Sequence, residues 1–237
     1  MVYVLARGAA VIYTIGDSHA YYTFAGVKGT KNYPLGPVSM KRIGSGRVRK
    51  YPPPEMGLFL SDEGVTYGED TVLVDMIRKI NPKPGDTLIL SCGEADVRCF
   101  IKPQLDGGAD LDTLLRSMVD AYIERAASLE TNGARVALAS ITPPTTRARA
   151  SSFRFPAAGT DEERVLYTRT LNALLSAGCP KRGLLFVDTY ADFSDADGML
   201  RLDLADRNVH VRQTVESMWM IHGRLVAMGI APALVKP

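Results

Sequence analysis

The chain has 237 residues, 46% hydrophobic and 23% charged, a balance that excludes a disordered chain. A chain of this length buries about 70–75% of its unfolded surface and needs no disulfide or metal to hold a core. Its 28 Lys and Arg nearly cancel its 26 Asp and Glu, and the formal charge of +2 gives no electrostatic case for a nucleic-acid partner.

Ala9 to Ile15 is a short apolar run that stops at Gly16, as a strand buried on both faces does. Residues 26 to 69 are rich in Gly and Pro and read as irregular connection, with one short strand around Leu58 to Ser61. Thr71 to Ile80 carries Val72, Met76 and Ile77 at helical spacing and ends before Pro82 and Pro84. Asp86 to Ser91 reads as a strand. Leu111 to Leu129 repeats its apolar residues every three to four positions, as an amphipathic helix does, and Asn132-Gly133 follows as a stop signal. Ala134 to Ile141 is the next buried strand, and Asp161 to Ala177 is a helix with an acidic first turn. Leu184 to Asp188 is a further strand, and Val211 to Met228 is a final amphipathic helix that stops at Gly229. This alternation predicts one α/β domain spanning residues 1–237, a three-layer α/β/α sandwich with a mostly parallel sheet. Ligands of such sheets bind at the carboxyl ends of the strands. The loops from Gly16, Cys92, Thr142 and Asp188 are therefore the places to look for chemistry.

The first of these loops reads Gly16-Asp17-Ser18-His19. A serine just past a buried strand and opening a helix presents its hydroxyl to the crevice, where adjoining N–H groups can hold an oxyanion. Ser18 or Asp17 equally suits a plain helix cap. A serine nucleophile needs a base, and the chain has three histidines. His19 is beside the serine and is expected to point away from its hydroxyl, and His222 lies inside the last predicted helix near Trp219. His210 sits in a polar loop behind Asp203 and Asp206, either of which can fix its tautomer.

Gly16-Asp17-Ser18-His19, Gly93-Glu94-Ala95-Asp96 and the stretch from Asp206 to His210 resemble, in order and spacing, the SGNH/GDSL hydrolase superfamily. The alternating organisation agrees with that family over nearly the whole chain. The GDSH form looks like the branch associated with bacterial polysaccharide and O-acetyl chemistry. The resemblance implies a flavodoxin-like SGNH-hydrolase fold, Ser18 as nucleophile, His210 as base and Asp206 as orienting acid. Oxyanion or substrate contacts fall to Asp17, Gly36, Gly93 and Arg98. The family's acid stands three residues before its histidine; here Arg207 holds that position, and Asp206 and Asp203 stand four and seven before His210. Ala95 occupies the place of the family's oxyanion asparagine and has no donor, a loss that elsewhere lowers rates about 10²–10³-fold.

Arg98 has a second reading, as the partner of Glu94 or Asp96 in a network that fixes the loop. Two basic stretches, Lys41 to Lys50 and Arg147 to Arg154, suit solvated surface; the second also suits a lid, with Phe153 and Phe155 among its arginines. These features predict a serine esterase acting on a carbohydrate O-acyl group. The alternatives are acyl transfer to a sugar hydroxyl and a carbohydrate-binding module that keeps the fold. No metal or organic cofactor is implied. No membrane span is expected, because no apolar run is long enough. The lack of a signal-peptide pattern, and three cysteines without paired spacing, fit a cytoplasmic protein with reduced thiols.

Overall fold

The computed structural model describes residues 10–24, 27, 29–34, 71–150, 156–206 and 208–232. Gly36, the Lys41 to Lys50 stretch, the strand expected around Leu58, Phe153 to Phe155 and Arg207 lie outside the described residues.

Among the described residues five strands form one parallel sheet: β1 (Ile12–Gly16), β2 (Thr30–Pro34), β3 (Thr87–Ser91), β4 (Arg135–Ala139) and β5 (Leu185–Val187), in spatial order β2-β1-β3-β4-β5. This is the flavodoxin-like order, whose reversal point lies between β1 and β3. The strands read as apolar runs because both faces are covered. Tyr13, Ile15, Leu88, Leu90, Val136 and Leu138 point into one core, packed by α2 (Thr71–Ile80), α4 (Leu111–Ala127) and α6 (Asp161–Gly178). Ile12, Ile89, Ala137, Ala139 and Val187 point into the other, packed by α1 (Ser18–Phe24), α7 (Tyr190–Phe193) and α8 (Val215–Ala227). Between β3 and α4 lie a π turn, Asp96–Phe100, and the short helix α3 (Ile101–Asp106); α5 (Arg147–Ala150) follows β4. The α/β sandwich read from the alternation is thus the observed architecture.

Two elements differ from the reading of the sequence. β2 falls where Gly and Pro predicted irregular chain. It is a five-residue strand, Thr-Lys-Asn-Tyr-Pro, at the end of the strand order, where polar side chains and a terminal proline are tolerated. The last helix begins at Val215 and not at Val211. Thr214 closes a reciprocal capping box with Ser217, while Val211 bridges Ala205 and the Arg212 N–H donates to the Leu204 carbonyl at 2.7 Å. Those four residues are held by the loop before the helix, which bears on the site below. No helix among the described residues is long and apolar enough to cross a membrane.

Candidate active site

β1 and β3 deliver the chain to the crevice side by side. Gly16 pairs with Ser91, and the next N–H, that of Asp17, donates to the Ser91 carbonyl at 3.1 Å. A Cβ at position 16 would stand 1.8 Å from that carbonyl oxygen, so the close approach of the two strand ends requires glycine. Asp17 then turns inward. It is buried, and its Oδ1 accepts the His19 N–H at 2.8 Å, which caps α1. The cap role that the sequence left open between two residues is filled by Asp17, and Ser18 is left with its hydroxyl facing across the crevice.

The opposite wall is the loop 206–210. An antiparallel bridge from Ala205 to Val211 closes it, and the Asp206 N–H donates to the His210 carbonyl at 2.8 Å. The chain folds around the Asp206 carboxylate: Oδ1 accepts the N–H groups of Asn208 (2.7 Å) and His210 (3.1 Å), and Oδ2 stands 2.9 Å from His210 Nδ1. This tight loop explains how an acid four residues before the histidine reaches the ring. Asp203 is engaged elsewhere, paired with Arg201 at 2.6 Å. His210 Nε2 stands 2.9 Å from Ser18 Oγ, across 192 residues of chain. A carboxylate at Nδ1 holds the proton on that nitrogen, which leaves Nε2 as the acceptor for the serine hydroxyl.

The electrostatics follow from burial and from these partners. Burial, then the charge of His19, hold the His210 pKa below its ordinary 6.5 against the pull of Asp206. Burial would raise Asp206, but its bonds from His210 and from two backbone N–H groups outweigh that and hold it below 3.8. For Asp17 the charge of His19, its N–H and the charge of Arg98 pull the other way, but burial, with the charge of Glu94 beside it, outweighs them and pushes its pKa up to about 6.

In the turn after β3, Arg98 pairs with Glu94: Nη2 donates to Oε2 at 2.9 Å, Nε lies 2.9 Å from Oε1 as an ion pair, and Nη1 donates to the Ala150 carbonyl at 3.3 Å. Of the two readings of Arg98, the pairing with Glu94 is the one seen. Gly93, with φ 122°, makes the turn out of β3, and its carbonyl accepts the Val97 N–H at 3.0 Å. Ala95 is buried just before the π turn, and its methyl offers no donor.

Three contacts of the site were not read from the sequence. The Tyr22 ring stacks on the His210 ring, centroids 4.0 Å apart at 20°. It stands four residues after Ser18 on α1 and so shares its face, a spacing that was available in the sequence. Arg149 Nη2 bonds the Asp206 carbonyl, tying α5 to the loop of the acid. Glu94 also faces His19, with Oε2 3.5 Å from Nε2. The last two contacts join residues 57 and 75 positions apart, and no local pattern signals them.

A serine hydroxyl bonded to an imidazole whose far nitrogen is held by a carboxylate is an arrangement that can activate the hydroxyl for attack and return its proton to a leaving group. No family model and no curated protein matches the sequence. The fold does find counterparts. A GDSL-like lipase from Bacteroides thetaiotaomicron is 13% identical, with a TM-score of 0.52 over 95% of this chain and 91% of that one. A protein provisionally described as an acylhydrolase, from Bacteroides fragilis, is 14% identical, with a TM-score of 0.53 over 95% and 88%. The fold described above is therefore shared with these SGNH/GDSL-type structures.

Proposed function

On the premise of an SGNH/GDSL-hydrolase fold, we propose that this protein is a serine ester hydrolase, acting on an O-acyl group carried by a carbohydrate. The observation that carries the reading is the pair of 2.9 Å contacts linking Ser18, His210 and Asp206. In the first half-reaction Ser18 Oγ bonds to the acyl carbon and its proton passes to His210 Nε2. Asp206 stabilises the imidazolium that forms, and the tetrahedral intermediate collapses as His210 protonates the departing alkoxide oxygen. Water, deprotonated by the same nitrogen, then cleaves the acyl-serine to a carboxylic acid and restores Ser18.

The Ser18 N–H, at the first turn of α1, and the Gly36 N–H are the oxyanion donors in this reading. The missing donor at Ala95 makes the enzyme slower than a relative bearing asparagine there. The carbohydrate assignment is supported by the GDSH form of the first motif and by Tyr21 and Tyr22. These two exposed rings lie on the helix that Ser18 opens, where a sugar can stack on one face while its acyl group meets the serine.

The test is hydrolysis of a short-chain aryl acetate by the wild type and by Ser18→Ala, with an organophosphonate probe to label the serine. Turnover and labelling that both vanish in the variant are the expected result. Equal rates would remove Ser18 from the chemistry, and a folded wild type that neither turns over nor labels would leave a binding module.

A further inference from the structure

His19 is nearly fully buried, yet it is an ionisable ring placed directly against a second one. Its centroid is 4.8 Å from that of His210, at an interplanar angle of 46°. Behind it stands Glu94, itself buried, with Oε2 3.5 Å from His19 Nε2 and both oxygens held by Arg98. The proposed hydrolysis needs neither His19 nor Glu94. A buried carboxylate fixed this way stays ionised and favours a proton on the imidazole it faces, while the guanidinium that fixes it opposes that proton more weakly.

The geometry points to the His19–Glu94–Arg98 array as a positioning element for His210. It holds a protonated imidazole beside the His210 ring, so that His210 stays unprotonated and ready to take the Ser18 proton. The inference rests on the proposed hydrolase reading for its purpose, but its physical content does not depend on turnover.

The charges around the two rings favour this division of protons. Among the described residues, the cap of α1 contributes Asp17 and α1 itself His19 and Tyr22 to the neighbourhood of the two rings, the loop after β3 contributes Glu94, and the π turn Arg98. The loop of His210 itself contributes Asp206, and α5 contributes Arg149, which bonds the Asp206 carbonyl. His19 thus has two carboxylates near it, Glu94 and Asp17; burial and, more weakly, the charge of Arg98 oppose its protonation, but the two carboxylates outweigh them and raise its pKa above 6.5. His210 has one carboxylate in contact and a cationic neighbour, and its pKa is lowered. Two imidazolium ions at this separation repel strongly in a partly dehydrated site, so the first proton to bind goes to His19 and opposes the second. His19 Nδ1 is buried without a hydrogen-bond partner. Nor does His19 Nε2 meet an acceptor in hydrogen-bond geometry among the described residues; the charged ring bears that cost more than the neutral one, so the attraction of Glu94 and Asp17 must exceed it.

With three histidines, the 237-residue chain suits a direct measurement: histidine Cε1–H resonances followed by NMR from pH 4.5 to 9, assigned through single variants of His19, His210 and His222. The wild type is expected to show His19 titrating above 6.5 and His210 below it. His19→Gln is expected to raise the His210 midpoint by about one unit, and to move the acid limb of kcat/KM upward by the same amount while its plateau is kept within a few-fold. His19→Leu serves as a second replacement should glutamine unfold the chain. A His210 midpoint unchanged in a folded variant, or a wild-type His19 that titrates below His210, overturns the inference. Loss of the hydrolase reading is separately visible, as turnover that survives Ser18→Ala while the titrations stand as expected.

Discussion

A serine hydroxyl is a poor nucleophile at neutral pH, and under the proposed hydrolase reading what changes that for Ser18 is a proton path of two 2.9 Å contacts ending on Asp206. Asp206→Asn keeps the size of the side chain but no longer fixes the proton on Nδ1. Turnover of an aryl ester is expected to fall about 10³–10⁴-fold with the fold intact by circular dichroism. The base must be neutral to act. Because the His210 pKa is held below 6.5, kcat/KM should be flat at neutral pH and decline only as pH falls through that lowered value; a midpoint above 6.5 would contradict the geometry. Tyr22→Ala uncovers one face of the His210 ring and frees its rotamer, and a fall in kcat of about tenfold or more is expected with little change in KM for a small aryl ester. Ala95→Asn tests the oxyanion side from the other direction, with a rise in kcat of up to about 10² if the amide reaches the intermediate.

At the scale of elements, the site exists because β1 and β3 end against one another. Gly16→Ala would place a methyl 1.8 Å from the Ser91 carbonyl oxygen, and neither strand can yield without breaking pairing. A loss of at least about 3 kcal/mol in urea unfolding is expected, together with loss of activity, since Ser18 is two residues on. By contrast, Thr160→Ala removes the capping box of α6, which packs on the face away from α1, and should cost about 1 kcal/mol with turnover preserved. Most of these elements were legible in the sequence, because both-face burial writes a strand as an apolar run and one-face burial writes a helix as a stripe. β2 was not. As a polar strand at the end of the order it carries neither pattern, and its pairing with β1 comes from backbone groups that every residue possesses.

For the molecule as a whole, the near balance of charge conceals buried ionisable groups whose effects on stability oppose one another. Asp17, with its pKa raised from 3.8 to about 6, is protonated in both states below pH 4 and ionised in both above pH 6, so it lowers stability progressively between those limits. That rise is on the order of 3 kcal/mol. Asp17→Asn keeps an oxygen acceptor for the His19 N–H and removes the buried charge. Its Tm should match the wild type near pH 4 and exceed it by several degrees at pH 7, as scanning calorimetry would read. Asp206 has the opposite sign: its lowered pKa gives stability that is present above 3.8 and lost as pH falls through its folded value.

The sequence by itself determined the class of architecture, because local periodicity is imposed by burial. It also narrowed the candidates for a base, because the chain has three histidines and His210 alone stands in a polar loop behind two aspartates. The choice of Asp206 over Asp203 as the partner of His210, the capping by Asp17 that leaves Ser18 facing the crevice, and the seating of His210 between Tyr22 and His19 were decided by tertiary structure. The Asp17 cap is a local bond to the His19 N–H that the residue types alone did not assign, whereas the other two depend on where a loop closes or on groups far apart in the chain meeting within 5 Å. Those meetings are set by the packing of the sheet and its helices, of which the sequence showed only that Tyr22 shares a helix face with Ser18.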